Sequence, residues 1–145
     1  MNIFHLSPCP KDSAEMLCDK HVPKMLLESC QMLCTAYQKF AGVNKDLYKP
    51  AYRNHPMTLW AGESRQNWLW LFEHAKEIAN QYTKRYNKIH KSQRMLSALW
   101  LLEAEKSIPL NGFTSPPQCM PEKYKVKGNY IKAYREYYLG EKIRF

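Results

Sequence analysis

The sequence predicts an all-α protein: a single compact domain of three to four main helices with long irregular connections. Three observations carry that reading. Glycine is scarce at 5 of 145 residues, while tyrosine and tryptophan number 10 and 4, a balance that suits helices better than a turn-rich sandwich. Apolar residues recur at three- and four-residue intervals over long stretches. Prolines and other breakers collect between those stretches. A chain of this length can bury a core without staples, so one domain over 1–145 is expected.

The opening MNIFHLSPCPK is short and partly apolar. Ile3, Phe4 and Leu6 are expected to anchor it to the core, with Pro8 and Pro10 ending any regular structure. A first helix then starts at the capping box DSAE, where Asp12 and Glu15 can satisfy early backbone donors, and runs to about Phe40 before Gly42. Pro23 lies inside it without an N–H for the ladder and should kink it or divide it near Lys20. Met25, Leu26, Cys30, Leu33, Tyr37 and Phe40 share its broad apolar side. His21, Lys24, Glu28, Gln31, Thr35 and Gln38 form a narrow polar stripe opposite, which is either a solvated face or a site.

An irregular connection, GVNKDLYKPAYRNHP, follows. Arg53, Asn54 and His55 stand together beside a helix N-terminus, a place that favours anions. Pro56 fits the first turn of the short helix MTLWAG. The next helix is capped by Ser64 and extends to about Tyr86, with Trp68, Leu71, Phe72, Ala75, Ile78, Ala79, Tyr82 and Tyr86 as its inward stripe. Trp70 falls on the polar side, where two readings are open: stacking on a base or partner, or packing beneath another segment.

A further helix is expected from Ser92 to Glu105 with Met95, Leu96, Leu99 and Leu102 inward. SIPLNGFTSPPQCMPEKYKVKG, with four prolines, is too rich in breakers for regular structure. NYIKAYREYYLG reads as a last helix from Asn129 with a stop at Gly140. Its tyrosines, interleaved with Lys132 and Arg135, either face nucleic acid or pack one face while the cations snorkel.

Charge narrows the partner. Lys84, Arg85, Lys88, Lys91 and Arg94 form one segment without an acid, and residues 122–145 carry seven basic residues against three acids. These two segments account for the whole net charge of +9, which points to a polyanion, with nucleic acid ahead of an anionic membrane surface. The five cysteines are odd in number and form no CxxC pair, and Cys30 and Cys34 sit one helical turn apart as small hydrophobes. The chain is expected to be reduced and cytoplasmic. Its opening lacks the basic start and apolar run of a signal peptide, and no window reaches the roughly 18 apolar residues of a membrane span.

No GxxxxGK[ST], HExxH or CxxC motif is present, and Cys18 with His21 lacks a third metal ligand. What remains is the polar stripe of the first helix. A carboxylate such as Glu28 can serve as general acid/base or stabilise a developing cation. Lys24 or the α-amine of Met1 can serve as a Schiff-base nucleophile. An α-amine, with a reference pKa of about 7.7–8.0 against about 10.4 for a lysine, needs less help to lose its proton.

At this point a family resemblance enters. DKHVPKMLLE resembles the catalytic helix of the phage endonuclease V type, the pyrimidine-dimer DNA glycosylases with AP-lyase activity. In that family a D-x-H opens the helix and the catalytic glutamate follows seven residues after the histidine; Asp19, His21 and Glu28 match. Ser64–Tyr86 is similar to the family's second long helix, CMPEKYKVKGNYI to its proline-acid-aromatic-basic-glycine segment, and YREYYLGEK to its aromatic, basic end. The resemblance implies an all-α fold, a bacteriophage setting with a host-cytoplasmic location, kinked double-stranded DNA as substrate with a base displaced, and no cofactor. It also implies attack on the sugar carbon by an N-terminal amine, with the glutamate supporting the imine and strand cleavage by elimination.

The chain departs from the family in two respects. The family's arginines beside and three residues beyond its glutamate are here Leu27 and Gln31, and Asn2 is too large for efficient removal of Met1. The catalytic candidates are therefore Glu28, Met1 and Lys24. The DNA-binding candidates are His21, Gln31, Arg53, Asn54, His55, the five cations from Lys84 to Arg94, Lys132 and Arg135. A non-catalytic phage nucleic-acid or host-factor binder on the same fold is the alternative, and an enzyme of another class acting on free nucleotides is a third.

Overall fold

The computed structural model describes residues 2–143. Among them lie six α-helices and no strand: α1 (Pro10–Glu15), α2 (His21–Ala41), α3 (Pro56–Glu63), α4 (Arg65–Tyr86), α5 (Gln93–Leu101) and α6 (Tyr130–Tyr137). The all-α expectation holds. The long periodic stretches became α2 and α4, which pack on each other and carry the core between them. None of the described helices is long and apolar enough to cross a membrane.

The first helix divides, as Pro23 required. Residues 16–20 separate α1 from α2, and Pro23 falls in the first turn of α2, where a missing N–H costs no ladder bond. Side chains from distant elements satisfy the backbone of the break. Arg85 donates to the carbonyls of Glu15 (3.1 Å) and Leu17 (2.7 Å), and the Tyr86 hydroxyl donates to that of Asp19 (2.7 Å). The Tyr138 hydroxyl accepts from the Cys18 N–H at 2.8 Å. The capping box was misplaced: α1 begins at Pro10, whose fixed φ suits a first helical residue, with Cys9 as an extended N-cap and Asp12 inside the first turn.

The segment before α1 is core. Asn2 to Ser7 are all buried, with Ile3, Phe4 and Leu6 anchored as expected. Phe4 adopts φ 59°, an uncommon conformation for a bulky residue, and the turn around it is tied down. Asn2 Oδ1 accepts from the N–H groups of Ile3 and Phe4 (2.8 and 3.2 Å), and Ser13 Oγ donates to the Phe4 carbonyl at 3.1 Å.

Helix α4 starts where Ser64 Oγ accepts from the Asn67 N–H (3.0 Å) and ends on Asn87 in the left-handed conformation. Trp68 is 1% exposed and donates from Nε1 to the Leu33 carbonyl of α2 at 3.1 Å; its truncation to alanine would cost about 3–5 kcal/mol. Trp70 packs beneath the N-terminal segment, with Nε1 donating to the Pro8 carbonyl at 2.8 Å and its ring 4.4 Å from that of His5.

Two further boundaries needed correction. Helix α5 stops at Leu101, Glu103 turns left-handed, and Leu102 is 41% exposed instead of inward. The Gly140 stop fails because α6 runs on as a π-helical turn, Tyr138–Lys142. Gly140 is needed there for another reason: a Cβ would meet the Tyr124 hydroxyl at 2.6 Å. Of the tyrosines between 130 and 138, Tyr134 and Tyr138 are core, while Lys132 and Arg135 stay exposed.

Candidate nucleic-acid site

The polar stripe of α2 is not a wet face. Its C-terminal half is structural. Thr35 Oγ1 donates to the Ala51 carbonyl (3.2 Å) and accepts from its N–H (3.1 Å). Gln38 Nε2 donates to the Tyr48 carbonyl (2.9 Å), and its Oε1 accepts from the Asn44 N–H (2.9 Å). These bonds pin the 42–55 connection along α2 and so fix where α3 begins.

The N-terminal half of the stripe faces a hollow of about 260 Å³. Helix α2 contributes His21, Lys24 and Glu28, spaced so that one helix face carries all three. Asn2 arrives from the buried opening segment, His55 from the start of α3, and Tyr137 and Lys142 from the C-terminal helix and its π turn. Glu28 is only 9% exposed, within a wall that also holds two lysines. Asn2 is held there by a 3.0 Å hydrogen bond from Nδ2 to the Cys119 carbonyl.

His21 is set by its neighbours. Its ring stacks on Phe4 (5.4 Å between centroids, 22°), and Nδ1 lies 2.8 Å from the Tyr138 hydroxyl. That hydroxyl already accepts from Cys18, so its own proton is available to Nδ1 of a neutral ring. Burial lowers the His21 pKa, and the charges of Lys24, Lys142 and Lys20 lower it further. His55 caps α3: Nδ1 accepts from the Met57 N–H at 3.1 Å, which Pro56, lacking an N–H, cannot supply. Burial lowers its pKa too, with Glu28 pulling the other way.

The remaining candidates lie apart from this hollow. Arg53 and Asn54 are exposed and line a separate hollow of about 410 Å³ with Thr35, Gln38 and Lys39. Gln31 is half-buried, one turn beyond Glu28. Lys84, Lys88, Lys91 and Arg94 are exposed around the end of α4 and the start of α5, with Arg94 lying 5.7 Å from the Tyr48 ring. Arg85 points the other way, into the α1–α2 break, where it also meets Asp19 at 3.1 Å. On α6, Arg135 donates from Nε to the Leu6 carbonyl at 2.6 Å. Met1 lies outside the described residues. No group of three His, Cys, Asp or Glu side chains that could hold a metal ion occurs among the described residues.

Sequence reasoning missed Asn2, Tyr137 and Lys142 as wall residues and Tyr138 as the partner of His21. Tyr138 is 117 residues from His21 and carries no local signal of that partnership.

The fold thus walls a buried carboxylate among imidazoles and lysines, and the family match defines the class as a DNA repair glycosylase. The chain belongs to the pyrimidine dimer DNA glycosylase family, whose model matches residues 1–95, in keeping with the Asp19–His21–Glu28 resemblance. The matched span includes Asn2, His21, Lys24, Glu28 and His55, whereas Tyr137, Tyr138 and Lys142 follow it. No curated protein and no solved structure matches the chain.

Proposed function

We propose that the protein is a glycosylase with AP-lyase activity, acting on damaged or modified pyrimidines in double-stranded DNA through an amine nucleophile, with Glu28 as acid/base. The observation that carries this reading is the burial of Glu28 in a hollow that also takes in Asn2, Lys24 and Lys142. A carboxylate sheltered from water acts more strongly on a developing charge than one on the surface. The nucleophile is the α-amine of Met1, the residue bonded to Asn2, with the Lys24 amine as its rival. The amine attacks the sugar carbon, the base departs with the electrons of the glycosidic bond, and the resulting imine permits elimination of the 3′ phosphate. Glu28 takes and returns the protons that these steps release. Lys24 and Lys142 supply positive charge to the hollow, whose lining includes neither Leu27 nor Gln31.

The exposed cations Lys84, Lys88, Lys91, Arg94 and Lys132, with Arg53 and Asn54, are the proposed contacts to the DNA backbone. Residues 1–145 are taken as one helical domain, a reading supported by Tyr134 and Tyr138 sharing a core cluster with Ile3, Trp60 and Leu99.

Borohydride trapping on duplexes with an abasic site or a pyrimidine dimer tests the chemistry. A covalent adduct that Glu28→Gln abolishes while DNA affinity persists is the expected result. Salt-sensitive DNA binding without an adduct would instead identify a non-catalytic binder. Peptide mapping of the adduct distinguishes residue 1 from Lys24.

A further inference from the structure

His55 enters the sequence reading as one of three polar residues beside a helix start, suited to holding a phosphate. The structure separates it from the other two. Arg53 and Asn54 open on the 410 Å³ hollow, whereas His55 borders the hollow of Glu28. It also borders a neighbouring hollow of about 660 Å³ lined by Gln118, Cys119 and Lys125, so its ring forms part of the wall between the two.

Its hydrogen bonding fixes its chemistry. Nδ1 accepts the Met57 N–H at 3.1 Å, so that nitrogen carries a lone pair and the ring proton sits on Nε2. A protonated ring would lose this bond, because both nitrogens would then be donors. With the Nδ1 edge committed to the backbone of α3, the edge left to border the hollows is the one carrying Nε2. The ring is also well supported. The Thr35–Ala51 bonds hold the approach to α3, and Gly62 of α3 sits close on α2, where an added Cβ would already touch Ala36 at 3.6 Å. A donor of fixed orientation beside a carboxylate is what an oxygen with developing negative charge requires.

We propose that His55 is a catalytic residue of the Glu28 site, a neutral imidazole whose Nε2–H is offered to an oxygen of the reacting sugar. The assignment rests on the lyase reading above. As the amine attacks C1′, the N–C1′ bond forms and the base leaves. Opening of the ring then breaks C1′–O4′ and leaves the electron pair on O4′. The proton released by the amine passes through Glu28 to that oxygen. His55 keeps its own proton throughout and stabilises O4′ by hydrogen bonding while the charge develops.

The test uses a variant that separates capping from donation. Asparagine is a strong N-cap, so His55→Asn retains an acceptor for the Met57 N–H and loses Nε2–H. His55→Asn should melt as the wild type does and bind duplex DNA equally well. Its single-turnover cleavage of a duplex with one abasic site should fall by about 10²-fold, as when one oxyanion donor is removed. Wild-type cleavage by His55→Asn, with Glu28→Gln inactive, would overturn the role and leave His55 a helix cap. If the wild type leaves the abasic duplex uncut, the lyase reading itself fails. A second measurement then decides on His55: the ¹⁵N resonance of Nε2, recorded with a duplex carrying a tetrahydrofuran abasic analogue. A shift with that duplex and not with an undamaged one supports contact with the displaced sugar, and no shift overturns it.

Discussion

Acidification from pH 7 to pH 5 should strip stability from the core well before its carboxylates protonate, through His74 and His5. Both imidazoles are completely buried. His74 donates from Nδ1 to the Pro10 carbonyl at 3.0 Å, and burial drives its pKa down to about 4 against the carbonyls of Pro10 and Ile3, which favour the charged ring. His5 lies in an aromatic cage with Trp60, Trp70, Tyr130 and Tyr134, and neither of its nitrogens has a hydrogen-bond partner among the described residues. Burial, and then the nearby His74, hold its pKa well below the ordinary histidine value.

In the unfolded chain both rings titrate near 6.5. As pH falls below that value the unfolded state takes up protons that the folded state refuses, so stability falls with pH, and above 6.5 the two rings contribute no slope. For His74 alone, a folded pKa of about 4 corresponds to a loss of about 2 kcal/mol by pH 5 and about 3 kcal/mol by pH 4. His5 adds to this in the same direction. Urea unfolding at pH 7.5, 6.0 and 5.0 measures the effect, with His74→Asn as the comparison. The wild type should lose stability across this range and the variant should lose about 2 kcal/mol less. A flat wild-type profile, or one parallel to that of the variant, would refute the reasoning.

Arg85 and Lys88 make opposite predictions although both belong to the same basic segment. Arg85→Ala should lower unfolding stability by about 1–3 kcal/mol, because it removes the donors that satisfy Leu17 and Glu15 at the α1–α2 break. Lys88→Ala should leave stability unchanged and reduce the slope of log affinity against log salt by about 0.9 in a DNA-binding titration. Tyr138→Phe removes the hydroxyl between Cys18 and His21, leaves the partly buried Cys18 N–H without that acceptor, and should cost about 1 kcal/mol by urea unfolding. The same substitution should slow abasic-site cleavage without altering duplex affinity, since His21 would lose the contact that orients it.

Much of the fold was legible because strong local rules agreed with it. Ser64 followed by the stripe from Trp68 to Ala79 defined α4, and Pro23 marked the division of the first helix. The misplacements arose where one local signal outbid another. The fixed φ of Pro10 started α1 ahead of the DSAE box, and Gly140 served close packing against Tyr124 instead of termination. For the site, helical periodicity placed His21, Lys24 and Glu28 on one face and could not tell that Thr35 and Gln38 on the same stripe would hold a loop. A charge count treats Arg85 and Lys88 alike, whereas only the folded chain distinguishes a guanidinium bound to backbone carbonyls from an ammonium in solvent. The contributions of Asn2 and Tyr138 depend on contacts spanning most of the chain, for which no local pattern exists.

Those spans have a consequence for the order in which the molecule becomes complete. Arg135 bonds the Leu6 carbonyl, Asn2 bonds Cys119 and Tyr138 bonds His21, across separations of 129, 117 and 117 residues. At a synthesis rate of roughly 5–20 residues per second, the first-made half of each pair waits about 6–26 s for the other. During that interval Ile3, Phe4 and Leu6 have no finished core to enter, and the hollow around Glu28 lacks the wall formed by Tyr137 and Lys142. Assembly of the pocket therefore waits until residues 137–142 have been made. A nascent chain can carry Glu28 and His55 long before the wall that closes their hollow exists.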